Sequence, residues 1–267
     1  MSKTPKICLT IAGLDPSGGA GVIADIKTFR AFGCFPTAAV TSLTFQNTQG
    51  VYGAEHQTAV TLRGQVEPVL SDYKVDAVKT GMLPTIEIIA ETARLITAAD
   101  LKNFVVDPVV RSTSGFDLIS DDALRALIAE LFPISDLVTP NLPEAERIAE
   151  MRIVSEADIH VAARKIQAMG ARNVLIKGGH LLEKQLPMQE RVARDLLFVG
   201  AEVHQFDSPY IDTTATHGTG CTLSAAIAAN LALGFGLVES VRRAKDFVTE
   251  AIRTAPEIGK GNSPINI

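Results

Sequence analysis

The chain has 267 residues, 46% hydrophobic and 21% charged, with 25 Lys and Arg against 30 Asp and Glu and a net charge of −5. With a pI near 5.6 and 5% aromatic residues, it lacks the basic footprint and the stacking platforms that a nucleic-acid partner needs. Its three cysteines, Cys8, Cys34 and Cys221, form no C-x-x-C pair, which argues against a zinc ribbon or disulfide framework and for a reducing, cytoplasmic compartment. A chain this long can bury roughly 75% of its unfolded surface, so a single unstapled domain over residues 1–267 is expected.

In chain order, the apolar run ICLTIAG follows Lys3 and Lys6, is too short for a signal segment and ends at the turn LDPSGG. It reads as a buried strand. Val22, Ile26 and Phe29 then fall at helical spacing, with Gly33 as the stop. FPTAAVTSLTF, DAVKT, NFVVD, DLVT and NVLIK read as further strands alternating with helices, the pattern of a parallel sheet covered on both faces. Residues 46–60 break that rhythm; polar and carrying Gly50 and Gly53, they read as a flap of one or two strands over a site. Ser155 and Asp158 make a capping box for a helix ending at Met169 and Gly170. ARDLLFVGAEVHQF reads as a hairpin about Gly200 at the sheet edge. Residues 223–238, interrupted by Ser224, Asn230 and two glycines, are too short an apolar run for a membrane span and read as a buried core helix.

Two glycine-rich loops stand out. GLDPSGGAGVIADIK contains G-x-G-x-x-A at Gly19, Gly21 and Ala24. A dinucleotide fingerprint is argued against by the distance of Gly19 from the strand end and by the lack of any acidic residue between Asp25 and Glu55. What remains is a loop of little bulk that lets a ligand approach the backbone at a helix start. Asp25, one turn into that helix, is on its own a solvated first-turn carboxylate. In DTTATHGTGCTLSAAIAANLALG, Gly218, Thr219, Gly220 and Cys221 fall at a second helix start that favours an anion, without the Walker A pattern. A sulfur there is expected to have a lowered pKa and to act as base or nucleophile; the alternative is a small buried cysteine at a helix start. His217 reads as a loop donor with no catalytic role.

The segments LTIAGLDPSGGAGVIADIKTF, LTFQNTQGV, AVKTGML, VVDPVV, VTPNLPEAE, VLIKGGHL and THGTGCTLSAA, spread over most of the chain, resemble in order those of the bacterial hydroxymethylpyrimidine/phosphomethylpyrimidine kinases of the ribokinase-like superfamily. The resemblance implies a three-layer α/β/α sandwich with a mostly parallel central sheet and a small flap. It implies ATP-dependent phosphorylation of the hydroxymethyl group of a small pyrimidine, then of the monophosphate to the diphosphate, and it suggests a homodimer.

By the same resemblance, Asn141 and Glu144 of N-x-x-E help organise Mg²⁺ and its waters, with Asp107 as second acid; one or two carboxylates suffice for that ion. Lys177 meets the ATP phosphates as a point charge. The Gly218–Thr219–Gly220 backbone forms the anion hole for the phosphoryl group, and Cys221 takes the proton from the attacking hydroxyl. Asp25 and Gln46 match positions that hydrogen-bond the aminopyrimidine, and Met82 and Val109 match positions lining the ring pocket. Asp107 also reads as a helix cap, Lys177 as a surface lysine, and Met82 and Val109 as plain core. Thr113 stands where the family commonly has Lys before Ser-Gly, with Arg111 nearby as another source of charge. The rival readings are a pyridoxal kinase, a hydrolase or acyltransferase with Cys221 as nucleophile, and a non-catalytic pyrimidine sensor.

Overall fold

The β-branched runs of the sequence become strands in the computed structural model, which describes residues 4–111, 115, 117–179 and 191–267. In chain order the elements are β1 (Ile7–Leu14), α1 (Gly21–Ala31), β2 (Phe35–Asn47), β3 (Gly50–His56), α2 (Ala59–Asp72), β4 (Ala77–Thr80), α3 (Ile86–Ala98), β5 (Phe104–Val106) and α4 (Asp121–Leu131). There follow β6 (Leu137–Val138), α5 (Leu142–Ala149), α6 (Glu156–Ala168), β7 (Asn173–Gly179), β8 (Val192–Val199), β9 (Glu202–Pro209), α7 (Thr219–Ala232) and α8 (Leu237–Arg253).

The strands form one nine-stranded sheet in the order β3-β2-β1-β4-β5-β6-β7-β8-β9. The stretch from β2 to β7 is parallel, and β3, β8 and β9 join antiparallel at its two edges. Side-chain alternation assigns the faces. Leu9, Ile11, Val78, Val106, Val138 and Ile176 pack with Leu62, Ile88, Leu124, Ala145 and Ile159 from α2 to α6. Cys8, Ala77, Val105, Leu137 and Leu175 pack on the other face with Phe29 of α1, Ile227 of α7 and Val241 of α8. The result is the three-layer α/β/α sandwich expected, with strands buried on both faces.

The predicted flap is a hairpin: β3 pairs antiparallel with the outer end of β2, and Thr48 and Gln49 make the turn. The expected capping box at Ser155 and Asp158 forms, and so does the hairpin about Gly200. One expectation is corrected. Residues 223–238 are not one helix, because α7 ends at Ala232, Gly234 takes a left-handed φ of 91° and α8 begins at Leu237. Among the described residues no helix is long and apolar enough to cross a membrane.

Candidate active site

In an open parallel sheet, ligands bind beyond the carboxyl ends of the strands. Here those ends open into a cavity of about 800 Å³. β1 leads into Gly13 and Asp15, β2 carries Gln46, β4 is followed by Met82, β5 by Asp107 and Val109, β6 by Asn141, and β7 bears Lys177. The start of α7 supplies Gly218 to Cys221.

At one end, Asp107 and Glu144 share one ammonium. Lys177 Nζ lies 2.8 Å from Asp107 Oδ1 and 4.0 Å from Glu144 Oε2. Thr139 Oγ1 also donates to Asp107 Oδ1, at 3.2 Å. Burial opposes ionisation of Asp107, but the ammonium groups of Lys177 and Lys79 hold its carboxyl below the usual range. Burial, with the Asp107 charge adding, pushes Glu144 up to about 7 although Lys177 pulls it down. Asn141 caps α5: its Oδ1 accepts from Glu144 N at 2.9 Å while Glu144 Oε2 accepts from Asn141 N at 2.8 Å. N-x-x-E is thus also a capping box, which fixes the Glu144 carboxylate at the cavity wall. Lys177 is pressed against the glycine loop, since a Cβ at position 220 would come within 3.2 Å of its Nζ.

The two glycine loops interlock. A Cβ on Gly218, whose φ is +85°, would lie 1.8 Å from Gly19 O, and one on Gly19 would lie 2.3 Å from His217 Cδ2. Only glycine permits that approach at that φ. Gly218→Ala should therefore separate the loops and cost more than the roughly 1 kcal/mol of an ordinary left-handed alanine; a loss of Tm with loss of turnover checks it. At the start of α7 the N–H groups of Gly220 and Cys221 have no intrahelical partner and are available to an anion. Thr219 N already donates to Thr216 O at 3.3 Å.

Two expectations are corrected here. The Cys221 thiol is not lowered by the helix start: burial pushes it up to about 11, although Lys79 and a hydrogen bond from Gly21 N–H pull the other way. Asp25 is neither solvated nor at the cavity wall; it is wholly buried, with Lys79 Nζ at 2.9 Å and Thr10 Oγ1 at 2.5 Å on its Oδ2. Burial pushes the Asp25 carboxyl up against the pull of Lys79, and its Oδ1 has no hydrogen-bond partner among the described residues.

At the other end, Gln46, Met82 and Val109 line the cavity as anticipated. Arg111 reaches the rim, where its Nε donates to Asp117 Oδ1 at 2.9 Å. Thr113 lies outside the described residues. Asp15, which had no predicted role, sits here with His217, read from the sequence as a loop donor. Asp15 Oδ2 accepts from His217 Nε2 at 2.7 Å, and Asp15 Oδ1 accepts from Ser17 N at 2.8 Å. Burial works against the Asp15 charge, but bonds from His217, Ser17 and Gln46 hold its carboxyl far below the usual range.

Among the described residues no three His, Cys, Asp or Glu side chains converge as a metal cage. The buried Asp107 and Glu144 pair, hard oxygen donors sharing one ammonium, instead suits an ion that keeps its waters and shares phosphate ligands, as Mg²⁺ does.

Residues 15–266 match the family described as phosphomethylpyrimidine kinase. The chain is 43% identical over 258 residues to the hydroxymethylpyrimidine/phosphomethylpyrimidine kinase of Bacillus subtilis, covering 97% of this chain and 93% of that one. It is 45% identical to the thiamine biosynthesis bifunctional protein ThiED of Geobacter sulfurreducens, spanning 97% of this chain but about half, 51%, of that longer protein. Among solved structures, Bacillus subtilis pyridoxal kinase in an ADP complex superposes with a TM-score of 0.88 at 36% identity, covering 98% of this chain and 97% of that one. Phosphomethylpyrimidine kinase from Clostridium difficile superposes at 0.80 with 38% identity, covering 92% and 99%.

Proposed function

Because the chain belongs to the phosphomethylpyrimidine kinase family, we propose that it uses ATP to phosphorylate 4-amino-5-hydroxymethyl-2-methylpyrimidine, and then the monophosphate to the diphosphate, in thiamine biosynthesis. The observation that carries this reading is one cavity with two chemically different ends. Lys177, Asp107, Glu144 and the α7 start suit phosphates, and Gln46, Met82 and Val109 suit a small polar ring.

Phosphoryl transfer asks mainly for alignment and charge neutralisation. Lys177 holds the nucleotide phosphates, and Asp107 and Glu144, with Asn141 fixing Glu144, would hold Mg²⁺. The ion, when bound, neutralises phosphate charge. The substrate hydroxyl oxygen attacks the γ-phosphorus, the bond to the ADP oxygen breaks, and the hydroxyl proton passes to Cys221 Sγ. The N–H groups of Gly220 and Cys221 meet the charge on the transferred group. Gln46 offers donor and acceptor to the aminopyrimidine, while Asp25 stays buried behind the wall, paired with Lys79.

A thiol near 11 makes the base scarce at neutral pH, and its ionised fraction grows about tenfold per pH unit below that value. kcat/KM for the pyrimidine at saturating Mg-ATP should therefore climb between pH 6 and 9, and Cys221→Asp should flatten the climb, because a carboxylate is already ionised there. A wild-type profile flat across that range counts against the thiol as base.

Pyridoxal is the second substrate to test, since pyridoxal kinases from two organisms superpose on the chain at 33–36% identity. The test is kcat/KM for the two alcohols side by side, the pyrimidine being expected to win. Family membership favours phosphoryl transfer over thioester chemistry at Cys221 and over a non-catalytic sensor. The whole chain acts as one kinase domain, a reading supported by the single continuous sheet, and a cytoplasmic location is supported by its free cysteines. A homodimer is supported by Leu43, Phe45 and Tyr52, exposed large apolar side chains on the β2–β3 hairpin; light scattering should give twice the chain mass, and Phe45→Glu should halve it.

A further inference from the structure

The C-terminal segment is bound at two places, the turn of the flap and the loop before α7. Thr48, at the turn between β2 and β3, is wrapped by its backbone. Lys260 N and Gly261 N donate to Thr48 Oγ1 at 3.2 and 3.3 Å, and Asn262 N donates to Thr48 O at 2.8 Å. The fit leaves no room for side chains: a Cβ at 259 would lie 2.3 Å from Thr48 Oγ1, and one at 261 would lie 2.1 Å from Thr48 O. Immediately afterwards Ser263 O accepts from His217 N at 3.3 Å, and Pro264 bridges to His217. Ser263 Oγ accepts from Ile258 N at 3.1 Å and donates to Pro256 O, which closes the segment on itself.

From His217 the path returns to the flap. His217 Nε2 donates to Asp15 Oδ2, the same carboxylate accepts from Gly19 N at 3.2 Å and Ala20 N at 2.9 Å, and Thr44 Oγ1 of β2, two residues before Gln46, donates to Leu14 O at 2.8 Å. The ring runs Thr48, residues 259–264, His217, Asp15, Leu14, Thr44, and along β2 through Gln46 back to Thr48. Gly218 follows His217 directly, so the ring holds the first residue of the anion loop and the polar reader of the flap in one frame.

We propose that residues 258–264 are a strap tying the flap to the anion loop, with Thr48, Asp15 and His217 as positioning residues, so that a ring seated on Gln46 sets the placement of Gly218 to Cys221. This rests on the reading that Gln46 faces the pyrimidine and the α7 start faces the phosphoryl group. Nothing in the strap touches Lys177, Asp107 or Glu144 in the hydrogen bonds above, so nucleotide binding should be indifferent to it.

Two variants cut the strap without altering a cavity residue. Thr48→Val removes the Oγ1 acceptor with little change of shape, and Gly261→Ala drives a methyl group into Thr48 O. In each, pyrimidine KM should rise about tenfold, kcat should fall about threefold or more, and ATP KM should stay within about twofold. Amide hydrogen exchange should quicken both in residues 50–56 and in residues 217–221. Thr48→Ser, which keeps the acceptor, should restore wild-type values. The proposal is overturned if Thr48→Val quickens exchange only at 48–51 and 259–262 while kcat and both KM values stay within about twofold. Should Gly261→Ala not fold, Thr48→Val decides alone. Gln46→Ala separates the two readings: unchanged pyrimidine KM would sink the substrate assignment, while the exchange data would still judge the strap.

Discussion

Cys221→Ala is expected to lower kcat by about 10²- to 10⁴-fold, the range that a positioned general base contributes, while ATP KM and Tm change little. The thiol stands at the start of α7, takes a hydrogen bond from Gly21 N–H, and feels the Lys79 ammonium. Losing it deletes one partly buried sulfur and leaves the interlocked loops and the Lys177 cluster in place. Binding and catalysis should therefore separate cleanly. Steady-state kinetics with a Tm control is the measurement, and a kcat within about threefold of wild type would remove Cys221 from the reaction without touching the family assignment.

Lys79→Met is expected to be the most damaging change outside the cavity wall. Lys79 and Asp25 are fully buried and 2.9 Å apart, and removing one partner of such a pair typically costs about 3–5 kcal/mol because the other is left charged in an apolar setting. For a chain of this length that is a fall in Tm on the order of 10 °C. The pair is also electrically coupled to the thiol, so the folded fraction should turn over more slowly at neutral pH: with the ammonium gone, Cys221 ionises at still higher pH. Asp25→Asn added to Lys79→Met should recover part of the stability, because no uncompensated charge remains. Equal Tm losses in the single and double variants would mean that the pair contributes by packing alone.

What the sequence discloses follows from the range of the interactions. Strands buried on both faces are continuous apolar runs, so NFVVD and NVLIK announce themselves, and the Ser155 capping box is complete within four residues. Much of the cavity wall was legible because Asp107 and Lys177 stand at the ends of recognisable strands and Gly218 to Cys221 open a glycine-rich helix start, whereas Tyr210, Lys245 and Thr249, which also line it, carry no such signal. Burial was not. Asp25 looks solvated until β4 brings Lys79 beneath it from 54 positions away. Likewise the Cys221 thiol looks easily ionised while only its own helix is considered; burial in the folded chain reverses the sign. Asp15 and His217 are 202 positions apart, and no local pattern pairs them. A faint signal for Asp15 exists, since Asp-Pro-Ser favours a side chain that folds back onto the backbone two residues on, as Ser17 N does at 2.8 Å. The N-x-x-E motif hides a second meaning for a related reason: one spacing serves a helix cap and a metal-facing carboxylate together.

The central claim is that one cavity phosphorylates a hydroxymethylpyrimidine twice. Incubating the protein with ATP, Mg²⁺ and 4-amino-5-hydroxymethyl-2-methylpyrimidine, and resolving the products by anion-exchange chromatography with mass detection, tests it directly. Stoichiometric ADP, a monophosphate that rises and then falls, and a diphosphate that accumulates are expected, with pyridoxal turned over less efficiently in a parallel reaction. No pyrimidine phosphate, or a kcat/KM clearly higher for pyridoxal, would contradict it.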